Sequence, residues 1–393
     1  MNLNWSKQHE LFRTELCAFL QQHADWAPRT GGARPQGDGL RWQKLLIEKG
    51  YACRTVPALY GGFGADPDPL IGTIIAEEFA RMQMLPGLSN QGISMLVPTV
   101  LAYGTELQKE RWVRSTITGD TVWCQGYSEP GAGSDLANLR TKAVLEGDEW
   151  VINGHKIWTS TAQFADMMFC LVRTEDEEVK KHGAISYLLI PMDSAGIEVR
   201  PLVTMTGASE FNEVFFTDVR IPAESMVGER GQGWVVANNT LKHERGMLGD
   251  PDAALMRFNR LVALLQNESP EGEALIKKPL IRDRLMQLQA RLWAMRANAM
   301  RLLCSHKPDQ SDTLARLSVK LNGCELNYQI SRLAIDALEE VGILYEAGEH
   351  LRDRGSWQWQ NMFQLGLIIG GGTAQIQKNI ISERGLNMPR GKR

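Results

Sequence analysis

Three consecutive glycines, Gly370 to Gly372, separate an apolar run from Thr373 in "LGLIIGGGTAQIQKNIISERG". Glycine costs roughly 1 kcal/mol against alanine inside a helix, so a triplet marks a loop that needs positive φ or a backbone lying close to another group. Thr373 reads as an N-cap, with a helix running to about Glu383 and Gly385 just past its end. Free amides and a positive dipole end let a helix start behind such a loop hold an anion or a carbonyl oxygen. The same stretch also serves as a plain tight turn between two packed helices. A second stretch of chemical interest is "TLKHERGML", where Glu244 and Arg245 stand side by side. A positioned carboxylate can take a proton, yet a Glu-Arg pair on a helix is ordinarily a solvated face. His243, one position earlier, does not share a helix face with Glu244. "YGGFGAD" lacks GxGxxG spacing and a following strand and helix, and GxxxxGK[ST] does not occur, so the familiar nucleotide folds leave no fingerprint.

Composition narrows the classes further. A chain of 393 residues is long enough for two or three domains with substantial cores. Lys plus Arg is 43 and Asp plus Glu is 46, a formal charge of -3, and no basic block suggests a nucleic-acid or membrane surface. No apolar stretch reaches about 18 residues, and "MNLNWSKQHELFRTEL" is charged and amphipathic, so the expectation is a cytoplasmic protein without stable membrane insertion. Six scattered cysteines without a CxxC pair indicate neither a zinc site nor a disulfide framework, and no metal is expected.

The elements that must carry these residues fall into three textures. Residues 1–118 are helical in pattern: Trp5, Phe12, Leu16, Phe19 and Leu20 recur at helical spacing, and "LIGTIIAEEFARMQ" and "ELQKERWVRSTITG" continue it. Residues 119–229 change to short β-rich runs such as "TVWCQGY", "MMFCLVRT", "AISYLLIPM" and "NEVFFTDVRIP", separated by Gly, Asp and Asn, which predicts a small β-barrel or sandwich. Residues 230–393 return to long helices suited to a four-helix bundle. The expected fold class is α+β multidomain: an N-terminal helical domain, a central β domain and a C-terminal helical bundle.

Three stretches in this order, "CQGYSEPGAGSDLANLRTKAVLEGDEWVINGHKIWTS", "NEVFFTDVRIPAESMVGERGQGW" and "GGGTAQIQKNIISERGL", resemble the acyl-CoA dehydrogenase family, and the resemblance covers nearly the whole chain. It implies FAD, an acyl-CoA substrate and removal of hydrogens from the α and β carbons to give the trans-2-enoyl thioester. By that resemblance Gln125, Tyr127 and Ser128 meet the flavin ring, with the Ser128 hydroxyl bonding to it. Gly133 and Ser134 lie by the FAD pyrophosphate or CoA. Trp158 packs on the flavin and Ser160, where the family usually has Thr, bonds near N5; without the resemblance, a Trp in a strand reads as core. Arg282 matches an Arg that reaches a neighbouring subunit's FAD, although Leu285 stands where an aromatic is expected. Thr373 and Gln375 match cofactor contacts.

Desaturation needs a base for the α proton. Many family members place a Glu in the loop before the residue matching Thr373, and here Gly371 stands there instead. In a minority arrangement, that of the isovaleryl and long-chain members, a Glu on a bundle helix immediately before an Arg does the work, and Glu244 and Arg245 match it. The resemblance then assigns Glu244 as base, with Arg245, Gly371 and Ser134 toward the substrate. A backbone N–H near Gly371 stabilises the thioester oxygen, and the missing side chain leaves room for a branched, cyclic or bulky acyl group. An electron-transferring flavoprotein is the expected acceptor, and a tetramer of identical or mixed subunits the expected assembly. A non-catalytic subunit of a mixed tetramer, and an oxidase or monooxygenase on the same fold, are the alternatives.

Overall fold

The computed structural model describes residues 5–390 apart from 177, 269–271, 305–309 and 346, and leaves the side chains of 244–248 and 304 outside the description. The chain divides into two compact units, residues 1–243 and 244–393.

The first unit begins with helices whose starts are written in the sequence. In α1 (Lys7–Gln22), Ser6 accepts from the His9 amide. α2 (Asp38–Glu48) follows. α3 (Pro69–Met82) begins with proline at its first turn and Asp68 accepting from the Leu70 and Ile71 amides. After α4 (Val97–Tyr103), α5 (Glu106–Ile117) opens with a reciprocal Thr105–Gln108 capping box. Leu16, Phe19, Leu20, Trp42, Leu46, Ile74 and Phe79 interlock as the core of this helical part.

From Trp123 the pattern becomes strands: β1 (Trp123–Gly126), β2 (Lys142–Glu146), β3 (Glu149–Ser160), β4 (Met167–Arg173), β5 (Ile185–Pro191), β6 (Ile197–Leu202), β7 (Phe211–Pro222) and β8 (Met226–Val227). They form one eight-stranded sheet in the order β6-β7-β3-β2-β4-β5-β8, with β1 added parallel to β4. β4 and β5 are buried along almost their whole length, so they read as continuous apolar runs and not as alternations. One face packs with the helical part around Met95, Val100, Val113, Trp123, Phe169 and Tyr187. α6 (Gly233–Leu248) then carries the chain across the division between the units.

The second unit contains α7 (Pro251–Asn267), α8 (Pro279–Cys304), α9 (Gln310–Leu338), α10 (Ser356–Ile369) and α11 (Ala374–Ile380). α9 lies at its centre and packs on α7, α8 and α10. Phe258, Leu261, Leu285, Leu292, Leu326, Ile330, Leu333 and Trp357 form its core. The predicted last helix keeps its α geometry only to Ile380, and residues Ile381–Gly385 continue as a π-turn. No helix among the described residues is long and apolar enough to cross a membrane.

Candidate functional site

β1 ends at Gly126, and the chain leaves the sheet through Tyr127 and Ser128 into a tight turn at Pro130-Gly131, closed by reciprocal amide bonds between Glu129 and Ala132. The loop is fastened to β3 at two points. The Ile157 amide donates to the Ser128 carbonyl at 3.0 Å, and the Lys156 ammonium donates to the Tyr127 carbonyl at 3.2 Å and to Glu129 at 2.8 Å. Glu129 also accepts from the amides of Arg140 and Thr141. Burial pushes its carboxyl up, but Lys156 and these donors outweigh that and hold it below the ordinary carboxylate range. Tyr127 is buried edge-on against Phe169 and Tyr187. A Cβ at Gly131 or Gly133 would meet nothing within 4 Å, and Ser134 is exposed, so this rim is open to an incoming group.

Two features suit a planar aromatic cofactor. The Gln125 side-chain nitrogen is buried and has no hydrogen-bond partner among the described residues, an orphaned donor that a heteroaromatic edge would satisfy. Trp158 is 59% exposed, against the ordinary expectation of a core position for a strand tryptophan. It sits where β3 holds one residue more than β7, between the pairs Lys156↔Val214 and Thr159↔Asn212, with its backbone at φ 61°. A left-handed backbone is unfavourable for a non-glycine residue by roughly 1–2 kcal/mol, and such strain gathers at functional sites. The bulge turns the indole out of the sheet, edge-on to Phe211 at 6.1 Å. Ser160 is back in register opposite Phe211, two residues along the same strand.

These observations make a test. Trp158→Gly removes the strained backbone and one edge contact together, so its unfolding free energy is expected to stay within about 1 kcal/mol of wild type, while its affinity for flavin falls. A large loss of stability by chemical denaturation would show that Trp158 serves packing instead.

In the second unit, α10 ends at Ile369 and the glycines turn the chain toward α11. Gly371 and Gly372 adopt φ 64° and 97°, the left-handed conformations expected of the triplet, whereas Gly370 is extended at φ -60°. Thr373 caps α11 by accepting from the Ile376 amide at 3.2 Å. Gln375 is exposed. Carbonyls of the glycine loop are taken up by side chains: Gln377 donates to Gly371 at 3.0 Å, and Lys320 of α9, itself 2% exposed, donates to Gly372 at 2.7 Å and to Ile368 at 3.1 Å. The amides of Gly371, Gly372 and Thr373 donate to no backbone or side-chain acceptor among the described residues. Arg282 is exposed on the first turn of α8 and makes no ion pair among the described residues. Glu244 and Arg245 lie on α6, and their side chains fall outside the described residues. His243 is partly buried, which holds its imidazole below the ordinary histidine range.

Sequence reasoning missed Glu129, Lys156, Lys320 and Gln377. Little in the sequence signals them, because the need of a buried charge for a dedicated partner shows only once the fold has buried Lys156 and Lys320.

Comparison with known proteins agrees with the architecture. The descriptions "Acyl-CoA dehydrogenase, N-terminal domain", "middle domain" and "C-terminal domain" match residues 6–120, 124–219 and 231–386. The acyl-CoA dehydrogenase IpdE1 of Mycobacterium tuberculosis is 38% identical over 354 residues, covering 89% of this chain and 88% of the relative. The acyl-CoA dehydrogenase FadE26 of the same organism is 32% identical over 409 residues, covering 100% of both chains. Among solved structures, the "Tcur3481-Tcur3483 steroid ACAD" superposes with a TM-score of 0.81 at 28% identity over 100% of both chains. The ChsE4-ChsE5 complex from Mycobacterium tuberculosis superposes at 0.80 with 30% identity, again over 100% of both. With all three domains matched in order, and relatives above 30% identity across the chain, this protein belongs to the acyl-CoA dehydrogenase family of flavoprotein oxidoreductases.

Proposed function

We propose that the chain binds FAD and uses Glu244 as the base in α,β-desaturation of a bulky, ring-bearing or branched acyl-CoA thioester. The observation that carries the cofactor reading is the strained, exposed Trp158 on β3 together with the buried, orphaned Gln125 donor on β1. Gln125, Tyr127, Ser128, Trp158 and Ser160 would hold the ring, and Gly133 and Ser134 the phosphate-bearing part or the CoA. Thr373 and Gln375 would add contacts from α11, and Arg282 would serve the cofactor of a neighbouring subunit, for which its exposure suits it. When bound, FAD supplies the acceptor for the β hydrogen as hydride.

The residues of this chain do the rest. Glu244 takes the α proton, and Arg245 beside it stands toward the substrate. The Gly371 amide donates to the thioester carbonyl, where negative charge develops as the α proton leaves. A glycine keeps that amide and removes the carboxylate that many family members place there, leaving space beside the reacting carbons. The structural relative named as a steroid ACAD points to a substrate class that would need such space. Two of the structural relatives are named as pairs of chains, which supports assembly with a homologous second chain as well as with copies of itself. An electron-transferring flavoprotein is the proposed acceptor, and the cytoplasm the proposed location.

The experiment is the visible spectrum of the purified protein before and after anaerobic mixing with straight-chain, branched and ring-bearing thioesters. Flavin bands that bleach at least about tenfold faster with the bulky thioesters are the expected result, since a pocket shaped for a group discriminates by that order. Turnover of straight-chain substrates far above the bulky ones overturns the substrate proposal. Bound flavin that bleaches with none of them, alone or after mixing with a homologous partner chain, overturns the catalytic one.

A further inference from the structure

Glu129 and Lys156 are 7% and 0% exposed, and no other ion pair among the described residues has both side chains buried to this degree. Burying two charges is costly, and an apolar pair of similar volume is often as stable or more so, so stability alone does not account for the pair. Its geometry offers another reason. Glu129 accepts from Lys156, Thr141 and Arg140, which closes the base of the loop. Lys156 spends a second proton on the Tyr127 carbonyl. Because a peptide unit is planar, fixing the Tyr127 carbonyl also fixes the Ser128 N–H on its opposite side. That N–H has no partner among the described residues. A buried ammonium on one end of a peptide strengthens the donor at the other, since hydrogen bonds in series polarise one another in a low dielectric.

We propose that Glu129 and Lys156 are a positioning pair that aims and polarises the Ser128 amide toward the flavin ring, setting flavin affinity and redox poise; this rests on the FAD reading above. Lys156 supplies the charge and Glu129 keeps that charge in a buried place. A further titratable group facing Lys156 is the Cys170 thiol on β4, which burial pushes up to about 11, so it is neutral and does not replace Glu129.

The test compares wild type with Lys156→Met/Glu129→Gln, which removes both charges at similar volume, and with Glu129→Gln alone. The readouts are apoprotein melting, FAD affinity by quenching of flavin fluorescence, and the reduction potential of the bound flavin. The double variant is expected to melt below wild type, since the Tyr127 carbonyl loses a donor and one of the Arg140 and Thr141 amides an acceptor, and to bind FAD about tenfold or more weakly with a displaced potential, the scale of losing one charge-assisted contact. Glu129→Gln keeps the ammonium and removes the partner that holds it on the Tyr127 carbonyl, so its flavin affinity and potential are expected to move away from those of wild type. Wild-type affinity and potential in the double variant overturn the proposal, as do wild-type affinity and potential in Glu129→Gln should the double variant fail to fold. A wild-type protein that binds no FAD overturns the cofactor reading instead.

Discussion

Glu244→Gln is expected to retain FAD and acyl-CoA binding while the rate of flavin reduction on anaerobic mixing falls by about 10²–10⁴-fold, the usual contribution of a positioned general base. The amide keeps the volume of the carboxylate and loses only the ability to take the α proton. The chain offers no carboxylate in the alternative place, because Gly371 and its neighbours Gly370 and Gly372 fill the loop before Thr373. The base assignment therefore stands or falls on this one variant. A reduction rate in stopped-flow spectroscopy equal to wild type would remove Glu244 from the reaction. Loss of flavin from the variant would mark Glu244 as a structural residue.

The second large effect is expected at Lys320, which lies far from Gly372 in sequence but clamps its carbonyl. Lys320→Met should lower stability by about 2 kcal/mol or more, since two carbonyls, those of Ile368 and Gly372, lose the ammonium that satisfies them. A cation near the last turn of α10 also complements that helix's negative end. The glycine loop should then sample other conformations, and its amides would no longer be presented as one set. On the proposed mechanism kcat falls by about 10²-fold, the lower end of what a lost preorganised oxyanion donor costs, while KM changes little. Chemical denaturation and steady-state kinetics on the same preparation check the two halves of the prediction. A stable variant with wild-type kcat would show that the glycine backbone holds its shape without Lys320.

Much of the architecture was legible because the signals are local. Thr373 caps its helix as its residue type and place behind the glycines predict. The change from helical to strand patterning near Thr121 falls just before β1 (Trp123–Gly126). Gly371 and Gly372 take the positive φ that the triplet required. The bulge at Trp158 was not legible. It arises from a mismatch between β3 and β7, and neither strand alone records that one of them carries an extra residue. The π-turn at Ile381–Gly385 escaped for a related reason, since local pattern sets the presence of a helix more firmly than the geometry of its last turn.

The sequence by itself determined the family, the order of helical and β parts, the glycine loop and the candidate base at Glu244. The order of parts and the glycine loop depend on residue type and short spacing, which a linear chain displays in full, whereas the family and the candidate base come from the resemblance of three longer stretches. Only the tertiary structure decided that Trp158 faces outward, that Lys156 and Glu129 bury a charge pair beneath the Ser128 loop, and that Lys320 and Gln377 take up the carbonyls of the glycine turn. The two lysine contacts, to Glu129 and to Gly372, join residues 27 and 52 positions apart, and the Trp158 bulge arises between strands still farther apart in sequence. They follow from which buried polar groups the fold leaves in need of a partner, a demand that exists only once the chain has closed around them.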